Sequence, residues 1–523
     1  MIHPYSYYPG RAAKLWPDKI ALIEGENHIT YSELDNRISQ VANTLLGFGI
    51  KKGERVAVVH QNNIPFVISI CGAARAGAVF VPLLGVLTEQ DHAFMISDSD
   101  SRVVISSGET TDERVMALKT QCQTVDTVVT HGDWDGTEKY EDILETSSTE
   151  SPTIRGFEED LAQIIYTSGT TGKSKGVMHS YSSTQAAMFA WVHLSNMTFD
   201  DVNLLSLPMS HFGARLMDSG WCVGTTGVII PNPDTQLIIE AVQQHKVTNM
   251  TLIPTILTMI LNHPEVDSYD LTSLRFIVYA ASPASAALVR KATQKFGQTL
   301  HTGWGLSEAY VLNTLLSPQE HEEALRSAKW RLISCGREAI NLEARIRIVN
   351  EQGNDVGPGE VGEACIRAPW QAVGYWKLPE MSAKTFVDGW LHTRDILKYD
   401  EDGYFYVMDR KDDLIISGGY NVYPREIEEV LYSHEAVLEC AVVGVPDTKW
   451  GEAVTAEVVL KAGATVMEKE LITLCKDKLA RYKPPKSIRF VQSLPKTSVG
   501  KISKRNIKAK YWKDKDRQIG GVE

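Results

Sequence analysis

Between residues 55 and 230 the sequence repeatedly sets a short, nearly unbroken apolar run beside a longer segment of helical period. Arg55–Val59, Ala78–Val81, Arg102–Ile105, Asp126–Val129 and Gly227–Ile230 are such runs, rich in β-branched residues. None shows the polar alternation of a strand with one wet face, so each must be covered on both sides. Such strands fit a sheet covered on both faces by helices. Tyr31–Leu46 reads as one of these helices, with Thr30 at its start and Glu33 three residues on in capping-box spacing. The expected fold is α/β, with a large N-terminal domain of several subdomains built on covered sheets.

The pattern changes near Leu342. Arg345–Val349, Glu363–Arg367 and Tyr404–Met408 read as strands separated by turn signals such as Glu351-Gln352-Gly353-Asn354 and Pro358-Gly359-Glu360. This is a β-rich portion with hairpin-like spacing. The charged stretch Asp409–Asp413 is short and polar, as a hinge has to be, and a compact α/β stretch follows it. A chain of 523 residues is too long for one ordinary domain. We expect a large domain over 1–411 and a small, mobile α+β domain over 412–523.

With 43% hydrophobic and 23% charged residues the composition is that of an ordinary globular protein. Its seven cysteines are scattered and form no Cys-x-x-Cys pair, which points to reduced thiols in the cytoplasm and away from a disulfide or zinc framework. The first residues lack the charged-then-apolar order of a secretory leader. The most apolar stretch, Phe66–Leu87, is interrupted by Gly72, Arg75, Gly77 and Pro82 and reads as a buried helix-to-strand passage, so no transmembrane segment is expected. The ending Gly-Val-Glu is not a peroxisomal address. A net charge of −12 argues against nucleic acid as a partner. From Leu471 onward, however, fifteen Lys/Arg stand against four Asp/Glu. That segment is either a solvated helix and tail or a docking surface for a small polyanion.

The most informative segment follows the strand-like run Leu161–Tyr166. It reads Thr167-Ser168-Gly169-Thr170-Thr171-Gly172-Lys173-Ser174-Lys175-Gly176. Glycines let backbone N–H groups approach phosphate oxygens, hydroxyls donate hydrogen bonds and lysines supply charge, so the segment fits a polyphosphate grip. The Walker A loop needs a glycine five positions before Gly172, where this chain has Thr167, so a P-loop motor or ATPase fails on spacing. A plain Ser/Thr/Gly linker would need neither the lysines nor the preceding strand.

This loop resembles the signature of the adenylate-forming superfamily, which includes acyl-CoA synthetases, peptide-synthetase adenylation domains and beetle luciferases. Further motifs follow in the family's order from about Thr30 to Lys504. Trp304-Gly305-Leu306-Ser307-Glu308 resembles the aromatic-Gly-x-Thr-Glu motif, with Ser307 in place of threonine. The resemblance implies that Glu308 holds Mg²⁺ on the ATP phosphates and that the Trp304 ring stacks on adenine. Trp390-Leu391-His392-Thr393-Arg394-Asp395 resembles Trp-x-x-Thr-Gly-Asp, so Asp395 is expected on the ribose hydroxyls, with Arg394 replacing the usual glycine. Asp409-Arg410-Lys411-Asp412-Asp413 resembles the hinge motif, placing Arg410 on ribose or phosphate and the pivot at Asp412. Ser417-Gly418-Gly419-Tyr420-Asn421 opens a segment whose glycines, Gly419 among them, line the pantetheine tunnel in thioester-forming relatives. Pro495-Lys496-Thr497-Ser498-Val499-Gly500-Lys501 resembles the motif that ends on the catalytic lysine, here Lys501.

What the resemblance implies is an acyl-CoA synthetase of fatty or aromatic acid metabolism. Carboxylate and ATP give acyl-AMP and pyrophosphate; CoA then takes the acyl group and AMP leaves. The residues 167–173 would hold the β- and γ-phosphates, and Lys501 the α-phosphate. His211 would gate the carboxylate or, alternatively, pack as a core histidine. Phe212, Gly213, Ala281, Ser282, Gly303 and Gly305 would wall the acid pocket. Arg215 and Asp218 would pair with each other, or Arg215 would meet a polar group of the substrate. Trp450 or Tyr482 would pack on the CoA adenine and Lys486 would meet a phosphate. The alternatives are loading of a carrier-protein phosphopantetheine, oxidation of the adenylate as in luciferases, and a silent nucleotide-binding protein. A homodimer is compatible with this reading, and the acid itself is not readable.

Overall fold

The computed structural model describes residues 1–167, 174–282, 284–326, 329–339, 344–497 and 501–512. Two covered sheets form the body. The first has eight strands in the spatial order Gly374–Tyr375, Lys175–Ser180, Leu161–Thr167, Val79–Leu84, Arg55–His60, Ser101–Ser106, Thr127–Thr130 and Glu138–Lys139. Its neighbours run parallel from Leu161–Thr167 onward, and the first two junctions are antiparallel. The second has seven strands, Leu300–His301, Phe276–Tyr279, Asn249–Leu252, Val202–Leu205, Thr226–Ile229, Ile20–Glu24 and Asn27–Thr30, parallel except for the last pair. Every residue of Val79–Leu84, Thr226–Ile229, Asn249–Leu252 and Phe276–Tyr279 is buried, which is why those runs lack polar alternation.

Helices start where local chemistry supplies an acceptor for the first free N–H groups. Tyr31–Gly47 opens on the expected box: Glu33 N donates to Thr30 Oγ1 at 3.2 Å, and Thr30 N to Glu33 Oε2 at 2.8 Å. The apolar passage expected to be a helix followed by a strand is Ile64–Arg75 then Val79–Leu84, and Asn63 caps the helix. Among the described residues no helix is long and apolar enough to cross a membrane.

The β-rich portion is an antiparallel sheet of Arg345–Val349, Gly362–Arg367, Trp390–Tyr399, Phe386–Val387 and Phe405–Arg410. Beyond the turn at residues 411–413 lies a small domain. Tyr420–Val422, Ile415–Ser417, Gly451–Leu460, Val437–Asp447 and Ser487–Phe490 form its sheet, on which helices Pro424–Tyr432 and Glu468–Lys478 pack through a separate core that includes Ile427, Leu431, Val442, Val454 and Leu471.

Much of the positive charge of the C-terminal segment is bound internally. Lys504 bridges Asp409 at 3.2 Å and Glu428 at 3.0 Å, Lys508 meets Asp413 at 3.2 Å, and Lys510, Lys496 and Lys483 pair with Glu457, Glu439 and Glu426. A docking surface built from all the cations of this segment therefore gives way to a smaller one, because these five already have carboxylate partners.

Candidate active site

The described end of the phosphate loop is Thr167, the last residue of strand Leu161–Thr167; Ser168, Gly169, Thr170, Thr171, Gly172 and Lys173 lie outside the described residues. Next to this strand sits His211, whose Nε2 lies 3.2 Å from the Tyr166 carbonyl and whose Nδ1 lies 2.9 Å from Ser210 Oγ. Burial, and secondarily the charge of Lys501, push the His211 imidazolium down to about 4. The ring is therefore neutral at working pH, and it faces the expected catalytic lysine.

The segment 302–305 runs beside 311–316 through paired backbone bonds: Asn313 N to the Trp304 carbonyl at 2.7 Å, and Leu316 N to the Thr302 carbonyl at 2.7 Å. The approach is so close that a Cβ on Gly303 would stand 2.2 Å from the Thr314 carbonyl oxygen, and one on Gly305 2.5 Å from that of Val311. A Cβ on Gly213 would meet the Leu207 carbonyl oxygen at 2.3 Å. These glycines, expected as pocket walls, are fixed by chain-to-chain packing. Phe212 packs edge-on against Trp191 at 5.4 Å, and Ala281 holds a left-handed φ of +73° next to Ser282.

Trp304 carries a contact beyond the expected one. Its side chain is buried and its indole N–H donates to Asp395 Oδ2 at 2.8 Å. The ring's edge thus serves to hold the expected ribose carboxylate. Arg410 Nε donates to the other oxygen of Asp395 at 3.0 Å. Glu308 is held by Tyr375, whose hydroxyl donates to Oε1 at 2.8 Å. Tyr375 was not singled out in the sequence; Gly374-Tyr375-Trp376 carries no charge pattern, and only a contact across 67 residues gives it a role. The Ser307 carbonyl lies 2.9 Å from His179 Nε2, so this motif too is pinned from beneath.

Lys501 arrives from the small domain. Its backbone N donates to Thr497 Oγ1 at 3.2 Å, and the Thr497 N donates to the Lys501 carbonyl at 2.7 Å. Its ammonium is pushed down to about 8, chiefly by burial and then by the neighbouring Arg410, with Asp395 opposing. Lys501 thus feels the charges of the Arg410–Asp395 pair, whose members are 3.0 Å apart, and His211 feels that of Lys501.

Arg394 explains its own oddity. Glu363 pairs with Ile396 and Cys365 with His392, so Thr393–Asp395 bulge out opposite the single residue Ala364. Arg394 sits at the crest with φ +61°, the conformation that favours glycine. Its guanidinium forms an ion pair with Asp412.

In the small domain Gly419 has φ +83°. Trp450 is 38% exposed, with Lys486 Nζ 5.1 Å and Lys449 Nζ 4.9 Å from its ring centre. Tyr482 instead stacks on Tyr420 at 4.7 Å, which occupies one of its faces and leaves Trp450 the better candidate for an adenine.

The family model described as AMP-binding enzyme matches residues 10–376, and that described as AMP-binding enzyme C-terminal domain matches 426–501. The chain belongs to the AMP-binding enzyme family. It is 33% identical to the medium/long-chain-fatty-acid–CoA ligase FadD8 of Mycobacterium tuberculosis, over 97% of this chain and 90% of the relative. It is also 33% identical to a feruloyl-CoA synthase of Amycolatopsis sp, over 96% and 98%. Among solved structures, ATP-bound MatB from Rhodopseudomonas palustris aligns with a TM-score of 0.86 at 29% identity, covering 97% of this chain and 99% of that one. The two matched stretches of this AMP-binding enzyme flank the 394–412 region, where the large and small domains meet.

Proposed function

We propose that this protein is an ATP-dependent acid–CoA ligase that forms an acyl-adenylate and passes the acyl group to the thiol of coenzyme A. The observation that supports the reading is that Lys501, from the small domain, feels the charges of the Arg410–Asp395 pair of the large one, and that His211 feels Lys501. A carboxylate is a poor acyl donor until its oxygen bears a phosphoryl group. Its attack on the α-phosphorus brings two anions together, so preorganised cations lower the barrier. Lys501 and Arg410 supply them. Asp395, fixed on one oxygen by Trp304 and on the other by Arg410, takes the ribose hydroxyls. Neutral His211 excludes water near the carboxylate without competing for charge.

Glu308 fits a hard divalent cation: Tyr375 orients the carboxylate through Oε1, and the described residues offer no cluster of three or more His, Cys, Asp or Glu that would favour a protein cage. Mg²⁺ held there on the substrate's phosphates would offset their charge. Residues 167–173 grip the departing pyrophosphate. The first half-reaction uses the arrangement described, with the lysine in place. The second uses rotation about Asp412, which withdraws Lys501 and presents Gly419 and the Trp450–Lys486 face to CoA.

The seven free cysteines, six of them buried, suit a reducing compartment, and we place the enzyme in the cytoplasm. The test is a panel of aliphatic and aryl acids assayed for AMP and pyrophosphate with and without CoA. AMP and CoA thioester are the expected products. ADP and phosphate, or turnover only with a phosphopantetheine carrier protein, would displace the reading.

A further inference from the structure

Both stems of the phosphate-loop hairpin are tied to one residue outside it. Strands Leu161–Thr167 and Lys175–Ser180 pair so that Tyr166 stands opposite Gly176. The Tyr166 side chain is buried, and its hydroxyl donates to Oδ2 of Asp98 at 2.6 Å, at the end of helix Glu89–Asp98. On the other stem, Trp376 N donates to the Gly176 carbonyl at 2.8 Å. The Trp376 indole N–H then donates to the main-chain carbonyl of the same Asp98, also at 2.8 Å. Both side chains crowd Gly176: a Cβ there would stand 3.2 Å from Trp376 Cβ and 3.3 Å from Tyr166 Cζ.

The same tie reaches the Glu308 carboxylate. Tyr375, which donates to Glu308 Oε1, directly precedes Trp376 in the chain. A shift of Trp376 on Asp98 is thus a shift of the group that orients Glu308. The neighbouring ion pair of Lys377 with Asp100, 2.9 Å long, lies in the same seam, but both its side chains are well exposed and screened by water. The two bonds to Asp98 are the ones shielded enough to hold a position.

Ladder bonds set the register of two strands but not the direction in which the pair points. Backbone and hydroxyl donors aimed at phosphate oxygens have to be placed within about 0.5 Å. A fixed point outside the hairpin supplies what the ladder does not. Resting on the acid-activating reading above, we propose that Asp98 is a positioning residue for the phosphate side of the ATP site. Through Tyr166 and Trp376 it holds both loop stems and the Tyr375–Glu308 pair in one mutual arrangement. It touches neither ATP nor acid and acts only through these side chains.

The test separates the two half-reactions, because only adenylation handles the β- and γ-phosphates. Tyr166→Phe removes one hydroxyl from a buried ring. It should lower kcat/KM for ATP in adenylation by about 10-fold, the size expected for a hydrogen bond to a charged acceptor. The Kd for ATP, read by calorimetry, should rise with it. KM for the acid, and thioester formation from pre-made acyl-adenylate, should stay near native. Asp98→Ala should match Tyr166→Phe, and the double variant should be no worse than Asp98→Ala alone, since both changes cut the same bond. Asp98→Asn keeps an acceptor and should recover most of the loss. Native adenylation by Tyr166→Phe, equal loss in both half-reactions, or additive losses in the double variant overturns the proposal. If no acid releases pyrophosphate from the native enzyme, the acid-activating reading itself fails. The calorimetric Kd values then decide on Asp98, and equal values for native and Tyr166→Phe overturn it.

Discussion

Arg394 and Asp412 form an ion pair that joins the crest of a bulge in the large domain to the residue at which the small domain begins to turn away. The Arg394 carbonyl accepts the Lys411 N–H at 2.9 Å, and the Asp412 carbonyl accepts Lys508 Nζ at 3.1 Å. The turn at 411–413 is therefore held from both sides, by Arg394 of the β-rich sheet and by Lys508 of the C-terminal helix.

Replacing Arg394 by glycine should relieve the left-handed strain and remove the pair. Both side chains are partly exposed, so the pair is worth no more than about 1 kcal/mol, and the strain is of similar size. Thermal stability should change little. The thioester half-reaction, measured from pre-made acyl-adenylate, should speed up relative to adenylation, because the lysine-in arrangement loses a tether. An unchanged ratio of the two half-reactions in Arg394→Gly would show that the pair does not bias the hinge.

Lys501→Ala should cost on the order of 10²–10³ in the adenylation rate, the usual effect of losing one preorganised charge stabiliser. Thioester formation from pre-made adenylate should be largely spared. Rapid-quench assays of each half-reaction decide the matter, and equal damage to both contradicts the assigned role.

The pH profile tests the same lysine without mutation. Its ammonium is held down to about 8, from an ordinary 10.5, by burial and Arg410, so the active cation is present below that pH and lost above it. kcat/KM for ATP in adenylation reports the free enzyme and should fall as pH rises through about 8. His211, neutral down to about 4, should add no step between pH 5 and 7. A plateau extending to pH 10 would place Lys501 outside the rate-determining chemistry.

Asp412→Pro fixes φ at the pivot. Adenylation should persist and thioester formation should fail, as read by acyl-AMP accumulation in the presence of CoA. Normal CoA turnover would move the pivot elsewhere.

Trp450→Ala combined with Lys486→Ala should raise KM for CoA several-fold and leave KM for ATP and acid nearly unchanged. The cation–ring contacts are at the surface, so CoA binding should also weaken with salt, since exposed charges are screened over roughly 10 Å at 0.1 M. An unaltered KM for CoA in the folded variant would put the CoA dock on another face.

The architecture was largely legible because it rests on burial periodicity. Arg55–His60, Ser101–Ser106 and the Thr30–Glu33 box lie within a residue or two of where apolar runs and capping residues put them. The nucleotide motifs were legible as a set because their order along the chain is informative even where single residues are not. What the sequence concealed depends on contacts between distant segments. Trp304 reads only as a stacking ring, and the bond from its N–H to Asp395, 91 residues away, cannot be read from the sequence. Arg394 reads only as a departure from the usual glycine until the bulge turns it toward Asp412. Tyr375 and His179 are unremarkable in sequence and gain roles only by touching Glu308 and Ser307.

The central claim is that the carboxylate itself attacks the α-phosphorus of ATP. Acid labelled with ¹⁸O in its carboxylate, incubated with ATP, Mg²⁺, CoA and the enzyme, tests this directly. One labelled oxygen should pass to the AMP released with each thioester. AMP without label, or label appearing in inorganic phosphate beside ADP, would contradict it.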